Sequence, residues 1–235
     1  MLLVRNLGEG SMADFIALDF ETANGYRVSA CAAALVIFEN GRISKEYHWL
    51  IRPPRKFDYF HPFNTRLHGI SSRDVADKPQ FDELWPEIFS LINNETLAAH
   101  NASFDLTVLR QLLDIYNLRY PDLEFLCTCN IARRTWGQLA SYSLSVVASY
   151  LGYRFNHHNA LDDAEICGKI LIEACTYHEC ASIHELAVKI GMSIGILNED
   201  MYCPCSVSNP SQSMKRECDD KRINIGEYPR GCYYE

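Results

Sequence analysis

No apolar run in this chain approaches the roughly 20 residues that a membrane-spanning helix needs, so none of its 235 residues reads as an integral membrane segment. Its first residues carry neither the long apolar core nor the small-residue cleavage site of a secretory signal. Internal repeats and low-complexity tracts are absent, which excludes solenoids and compositional linkers. Basic residues are in deficit: 22 Lys and Arg face 30 Asp and Glu, for a formal net charge of −8. That balance excludes a broadly basic surface that coats nucleic acid, although it leaves room for local positive patches. Metal-knuckle cysteine spacing is missing too. Cys203-x-Cys205 is too tight for the usual C-x₂₋₄-C pair, and no second close pair follows it in the tail with Cys218 and Cys232. Zinc is therefore not expected there, and reduced thiols are. Ten cysteines in a chain of this length also fall outside the disulfide-framework logic of short secreted proteins. Cys31, Cys167 and Cys175 sit in apolar segments as small hydrophobes. A reduced, cytoplasmic protein is the expectation.

What is present fits one well-filled domain with an appendage: 48% of residues are hydrophobic and 22% charged. Residues 1–12 read as an irregular leader, with Met12 an alternative start, 13–180 as the main domain, and 181–235 as a helix plus a Cys-containing appendage. Phe15 to Thr22 reads as a buried strand, Val28 to Phe38 as a second, and Ile43 to Ile51 as a third. The Glu39-Asn40-Gly41 turn joins the last two as a hairpin. Helical spacing follows from Phe81 to Leu91, with Pro86 inside it. A strand at Thr96–Ala99 runs into a helix through Leu106, Leu109 and Leu113, and Phe125 to Cys127 makes a fifth strand. Ser143 caps a helix ending before Gly152, and a last core helix covers Leu161 to Ala174. From Gly191 onward no periodicity is visible.

The chemistry gathers at strand ends and helix starts. Asp19 and Glu21 end the first strand two residues apart, so their side chains leave one face together. Two buried carboxylates need compensation, and all-oxygen donors favour Mg²⁺ or Mn²⁺. Asp105 follows a strand-to-helix junction, and Asp162 and Asp163 open the last core helix. Four carboxylates converging there could hold two ions about 3.5–4 Å apart, the arrangement used in phosphoryl transfer. His158, just ahead of that helix, has the residue type of a general base near neutral pH. Its neighbour His157 reads as a surface or packing residue.

Asp19-Phe20-Glu21-Thr22, then His100-Asn101-Ala102-Ser103-Phe104-Asp105, then His158-Asn159-Ala160-Leu161-Asp162-Asp163-Ala164 resemble, in order, the motifs of the DEDDh exonucleases. Leu67-His68-Gly69-Ile70-Ser71 and Tyr142-Ser143-Leu144 resemble further segments of that family, which includes the proofreading epsilon subunit of bacterial DNA polymerase III and RNase T. The resemblance covers about Phe15 to Ala174. It implies an α/β, RNase H-like fold with a five-stranded mixed central sheet flanked by helices. It implies two Mg²⁺ or Mn²⁺ ions, with Asp19 bridging both, Glu21 and Asp163 on one, Asp105 on the other, and His158 as the base. The family's H-x-A-x-x-D spacing selects Asp163 over Asp162. Thr22 and Ala23 would meet the terminal nucleotide through their backbone, with His68 and Phe104 close by. The implied function is 3′–5′ hydrolysis at a nucleic-acid 3′ end, preferably single-stranded, of the DNA proofreading or repair type. The alternatives are RNA 3′-end trimming, oligonucleotide degradation, or a catalytically silent nucleic-acid-binding module. Phosphate contacts are expected from Arg52, Arg55, Lys56, Arg66 and Arg73.

Overall fold

The computed structural model describes residues 14–207. The leader expected over 1–12, and Cys218 and Cys232 of the tail, lie outside the described residues. β1 (Phe15–Thr22), β2 (Ala30–Glu39) and β3 (Arg42–Leu50) form an antiparallel meander. Its tight β2–β3 turn places Asn40 at φ 53° and Gly41 at φ 71°, the left-handed pair that a two-residue hairpin needs. α1 (Pro62–His68) and α2 (Phe81–Ile92) lead to β4 (Thr96–Ala99), which pairs parallel with β1. α3 (Ala102–Ile115) crosses over to β5 (Leu123–Cys127), parallel to β4. Next come α4 (Thr128–Thr135), α5 (Leu144–Tyr150), α6 (Ala160–Tyr177) and α7 (Ile183–Lys189). The chain continues through β6 (Met192–Ser193), β7 (Gly195–Leu197), β8 (Tyr202–Cys203) and β9 (Ser206–Val207).

The central sheet is mixed, as expected, but it has seven strands in the order β3-β2-β1-β4-β5-β7-β8 rather than five. β7 pairs antiparallel with the edge of β5 and β8 with β7, while β6 and β9 form a separate two-stranded pair. Strands of two or three residues are too short to show a period of two, so the sequence pattern past Gly191 concealed them. Helices cover both faces. One core packs Ile131, Val147, Ile170 and Leu171 against alternate β1 and β2 residues; the other packs Trp85, Ile88, Leu106 and Leu109 beneath Ile16, Leu18 and Phe20. α6 lies close on the sheet because Ala32 and Ala34 offer no bulk beneath it. Gly168 is part of the same fit: a Cβ there would stand 2.1 Å from the Phe38 ring, which stacks on Phe15 at 4.8 Å.

Among the described residues no helix is long and apolar enough to cross a membrane. Cys127, Cys129 and Cys205 are free thiols, whereas Cys203 is disulfide-bonded, so the expectation of reduced tail thiols fails at that residue.

Candidate active site

β1, β4 and β5 run parallel, and their C-terminal ends open onto one cavity of about 680 Å³. Such strand ends are where open α/β sheets bind ligands. Asp19, Glu21, Asp105 and Asp163 all line it. Asp19 and Glu21 continue the β1 face that carries Phe15 and Ala17, the face on which α6 packs. Asp163 arrives from the first turn of α6, and Asp105 from the first turn of α3. Carboxylate oxygens of Asp19, Glu21 and Asp163 lie within 4.8 Å of one another. Glu21, Asp105 and Asp163 are each at most 5% exposed.

Among the described residues no Lys or Arg forms an ion pair with any of the four. Burial pushes the Asp19 carboxyl well above the usual carboxylate range, and Asp105, Glu21 and Asp163 push it further by repulsion. Glu21 is raised to about 9, by burial first and then by Asp163 and Asp105. Burial also raises Asp105, opposed by the Phe20 N–H, which donates to its Oδ1 at 3.1 Å, and by the Arg27 guanidinium. Arg27, unremarked in the sequence, stacks over the Phe104 ring at 4.1 Å.

The histidine loop departs from expectation. His158 sits at φ 67°, a left-handed conformation uncommon for a side chain with a Cβ. Its backbone N–H donates to both Asp163 oxygens at 3.2 Å. Its ring stacks on His157 at 3.8 Å, and burial pulls its pKa below the usual histidine value, helped by His157 and His68 and opposed by Asp163. His157 is no bystander: its Nδ1 lies 3.2 and 3.1 Å from the two Asp163 oxygens. A pair of adjacent histidines gives no sequence cue to which ring turns inward. Asp162 lies apart from the acid group and accepts from the Asn156 N–H at 3.1 Å, which ties down the loop ahead of His158.

Of the residues expected near substrate, Phe104 lines the cavity. Thr22, Ala23 and His68 are not part of its wall. The Thr22 carbonyl accepts from Asn64 Nδ2 at 2.9 Å and stands 3.2 Å from His68 Nε2. Ala23 donates to the Ser29 carbonyl and accepts from the His61 N–H, both at 2.8 Å. Among the described residues lining the cavity, Arg133 is the one Lys or Arg; Arg52, Arg55, Lys56, Arg66 and Arg73, expected to hold phosphates, are not part of its wall.

A family model for exonucleases, RNase_T, matches residues 16–171, a span that contains all four acids and His158. The chain belongs to this exonuclease family. It is 32% identical over 178 residues to a PolC-type DNA polymerase III of Thermotoga maritima and 30% identical over 165 residues to the 3′-5′ exonuclease DinG of Bacillus subtilis. These alignments cover 72% and 68% of this chain but span 13% and 17% of those much longer relatives. The epsilon subunit of DNA polymerase III from Aquifex aeolicus is 28% identical over 177 residues, covering 72% of this chain and 82% of its own. Among solved structures, exonuclease X in complex with 5′ overhanging duplex DNA superposes with a TM-score of 0.61 at 27% identity, covering 75% of this chain and 99% of that chain. The nuclease domain of 3′hExo, a DEDDh family member, superposes at 0.62 with 14% identity, covering 72% and 94%, and shares the fold. The exonuclease domain therefore has the RNase H-like architecture of the DEDDh nucleases.

Proposed function

We propose that this chain is a 3′–5′ exonuclease that hydrolyses the last phosphodiester bond of a nucleic-acid 3′ end with two divalent ions, Mg²⁺ or Mn²⁺. The observation that carries this reading is the convergence of four carboxylates from β1, α3 and α6 on one cavity, with no Lys or Arg among the described residues in an ion pair with any of them. The donor set fits such ions: it is all oxygen, and in Asp19 and Glu21 burial and then repulsion from neighbouring carboxylates raise the pKa, a penalty that a cation would relieve. Asp19, Glu21, Asp105 and Asp163 would hold them. Bound there, the ions would activate a water for attack on phosphorus and stabilise the charge on the leaving oxygen.

The chain's own groups supply the rest. His158 stays neutral at physiological pH because burial lowers its pKa, so it can take the proton of the attacking water. His157 and the His158 N–H fix the Asp163 carboxylate through contacts with both its oxygens. Phe104, backed by Arg27, offers a ring to the terminal nucleotide. Asn64 and His68 at the Thr22 carbonyl, with Ser29 and His61 at the Ala23 backbone, tie down the strand end that carries Glu21. The names of the relatives, PolC, DinG and epsilon among them, favour DNA and a proofreading or repair role.

An end-labelled panel of single- and double-stranded DNA and RNA, with added Mg²⁺ or Mn²⁺, tests the reading. Stepwise shortening from the 3′ end, faster on unpaired DNA ends and stopped by EDTA, is expected. Cleavage of circular single strands, activity undiminished by EDTA, or no cleavage at all would sink it. Faster loss of RNA than of DNA would move the assignment to RNA trimming.

A further inference from the structure

The cavity extends beyond the acids. Past Asp105 and His100 it is bounded by Asn130 and Arg133 of α4 and by Ser141, Tyr142 and Ser143 ahead of α5. Tyr202, Pro204 and Cys205 complete it, from a segment outside the family-matched span of 16–171. This arm carries the opposite electrostatic character from the acid end. Arg133 is exposed and forms no ion pair among the described residues. Its Nη1 donates to Asn130 Oδ1 at 3.4 Å, and its guanidinium stands 5.6 Å from the Tyr142 ring. The Ser141 and Ser143 hydroxyls lie 3.2 Å apart, both exposed.

The arm is braced. His100, held neutral by a pKa lowered to about 4 through burial, bridges the Thr128 hydroxyl and the Tyr142 carbonyl, each at 2.9 Å. The Tyr142 hydroxyl accepts from the Gln138 N–H and donates to the Trp136 carbonyl, both at 3.1 Å. The serine hydroxyls therefore stand at a fixed place relative to β4, which leads into the helix bearing Asp105. A guanidinium fork and two hydroxyls in the wall of one cavity match the oxygens of a phosphodiester.

We propose that Arg133, with the Ser141 and Ser143 hydroxyls, binds a backbone phosphate on the 5′ side of the scissile bond, so that the cavity engages at least two nucleotides of the strand. The inference rests on the exonuclease reading and deepens it. A dinucleoside monophosphate has only the scissile phosphate, so it cannot make this contact; a tetranucleotide can. The wild-type protein should prefer the tetranucleotide in kcat/KM, and Arg133→Ala should lose about tenfold of that preference. Arg133→Lys should retain part of it. One lost phosphate contact should also flatten the slope of log KM against log salt by about 0.7 for a single strand. An Arg133→Ala protein that keeps the full length preference overturns the proposal. So does a loss of preference with an unchanged salt slope, which would make Arg133 a structural residue. Wild-type protein that cleaves neither substrate would instead refute the exonuclease reading, and this inference with it.

Discussion

At one end of the cavity Asp19, Glu21, Asp105 and Asp163 crowd together; at the other, the Phe125 and Tyr202 rings of the wall stack, and the Arg110 guanidinium, outside the wall, lies over Tyr202. The Phe125 and Tyr202 rings lie 5.7 Å apart at 4°, and the Arg110 guanidinium stands 3.9 Å over Tyr202. The second region is complete in itself, since each flat group already has a partner. The first is incomplete: burial raises the pKa values of Asp19, Glu21 and Asp105, repulsion adds to it, and among the described residues no Lys or Arg forms an ion pair with any of the four acids. Packing that satisfies itself stabilises a fold, whereas a buried charge left unanswered points to something that arrives from outside. The difference separates the part of the cavity that does chemistry from the part that gives it shape.

The largest effects should come from removing a single acid. Asp19→Asn, Asp105→Asn and Asp163→Asn should each lower nuclease turnover on the order of 10³-fold or more, since ion-based charge stabilisation is worth several kcal/mol. Each variant should remain folded, and less repulsion in the metal-free state should raise its melting temperature. Asp162→Ala should be far milder, because that carboxylate braces the Asn156 loop instead of the acid group. Equal losses from Asp162→Ala and Asp163→Asn in a steady-state assay would erase the distinction between the acid end and its surroundings.

Next in size is the histidine pair. His158→Ala should lose about 10²–10⁴-fold in kcat, with the acidic limb of the pH–rate profile abolished. That limb should lie below the ordinary histidine range, because burial depresses the His158 pKa. His157→Ala should cost about tenfold, as it removes a contact with Asp163 worth roughly one charged hydrogen bond. A His157→Ala variant with the same turnover as wild type would return that residue to the surface role its sequence context suggested.

These outcomes trace where the sequence was informative. The D-F-E-T strand end, the Asp105 junction and the Asp163 helix start were legible because each acid falls at a residue whose secondary structure is set by strong local periodicity. The mixed sheet through β5 was legible for the same reason. The chain past Gly191 was not, because β7 and β8 are too short for periodicity and gain their partners only from the exposed edge of β5. Arg133 was equally hidden. It sits beside Arg134 near the end of α4, and which of two adjacent arginines faces a cavity is decided by helix rotation. The basic residues singled out instead, around the Pro-rich loop, form a cluster in sequence that does not reach the cavity wall.

The stacked end can be broken by adding one methyl group. A Cβ at Gly195 would stand 2.3 Å from the Phe125 ring, so Gly195→Ala must push that ring out of its stack with Tyr202. Overpacking of this kind typically costs about 1–3 kcal/mol. Chemical denaturation should register that loss. Turnover on a dinucleoside monophosphate should fall less than with any acid variant. Unchanged stability would mean that β7 and β8 pack loosely against β5, contrary to the contrast drawn between the two ends.

The last effect touches no turnover and is the most direct probe of the unanswered charge. In the folded, metal-free protein Glu21 stays protonated up to about pH 9, whereas in the unfolded chain it ionises near its ordinary 4.5. Between those values the folded state therefore binds more protons than the unfolded state, and stability must fall as pH rises across the window. Asp19 and Asp105, raised by the same burial, act in the same direction. In EDTA the melting temperature should drop by about 10 °C between pH 5.5 and pH 8, since one such carboxyl loses about 3 kcal/mol over that interval. Saturating Mg²⁺ should flatten that slope, because it stabilises the ionised carboxylates that high pH produces. Glu21→Gln should flatten it too, with no metal present. A melting temperature in EDTA that rises with pH over this range would show the carboxylates to be compensated within the fold, and the contrast between the two ends of the cavity would collapse.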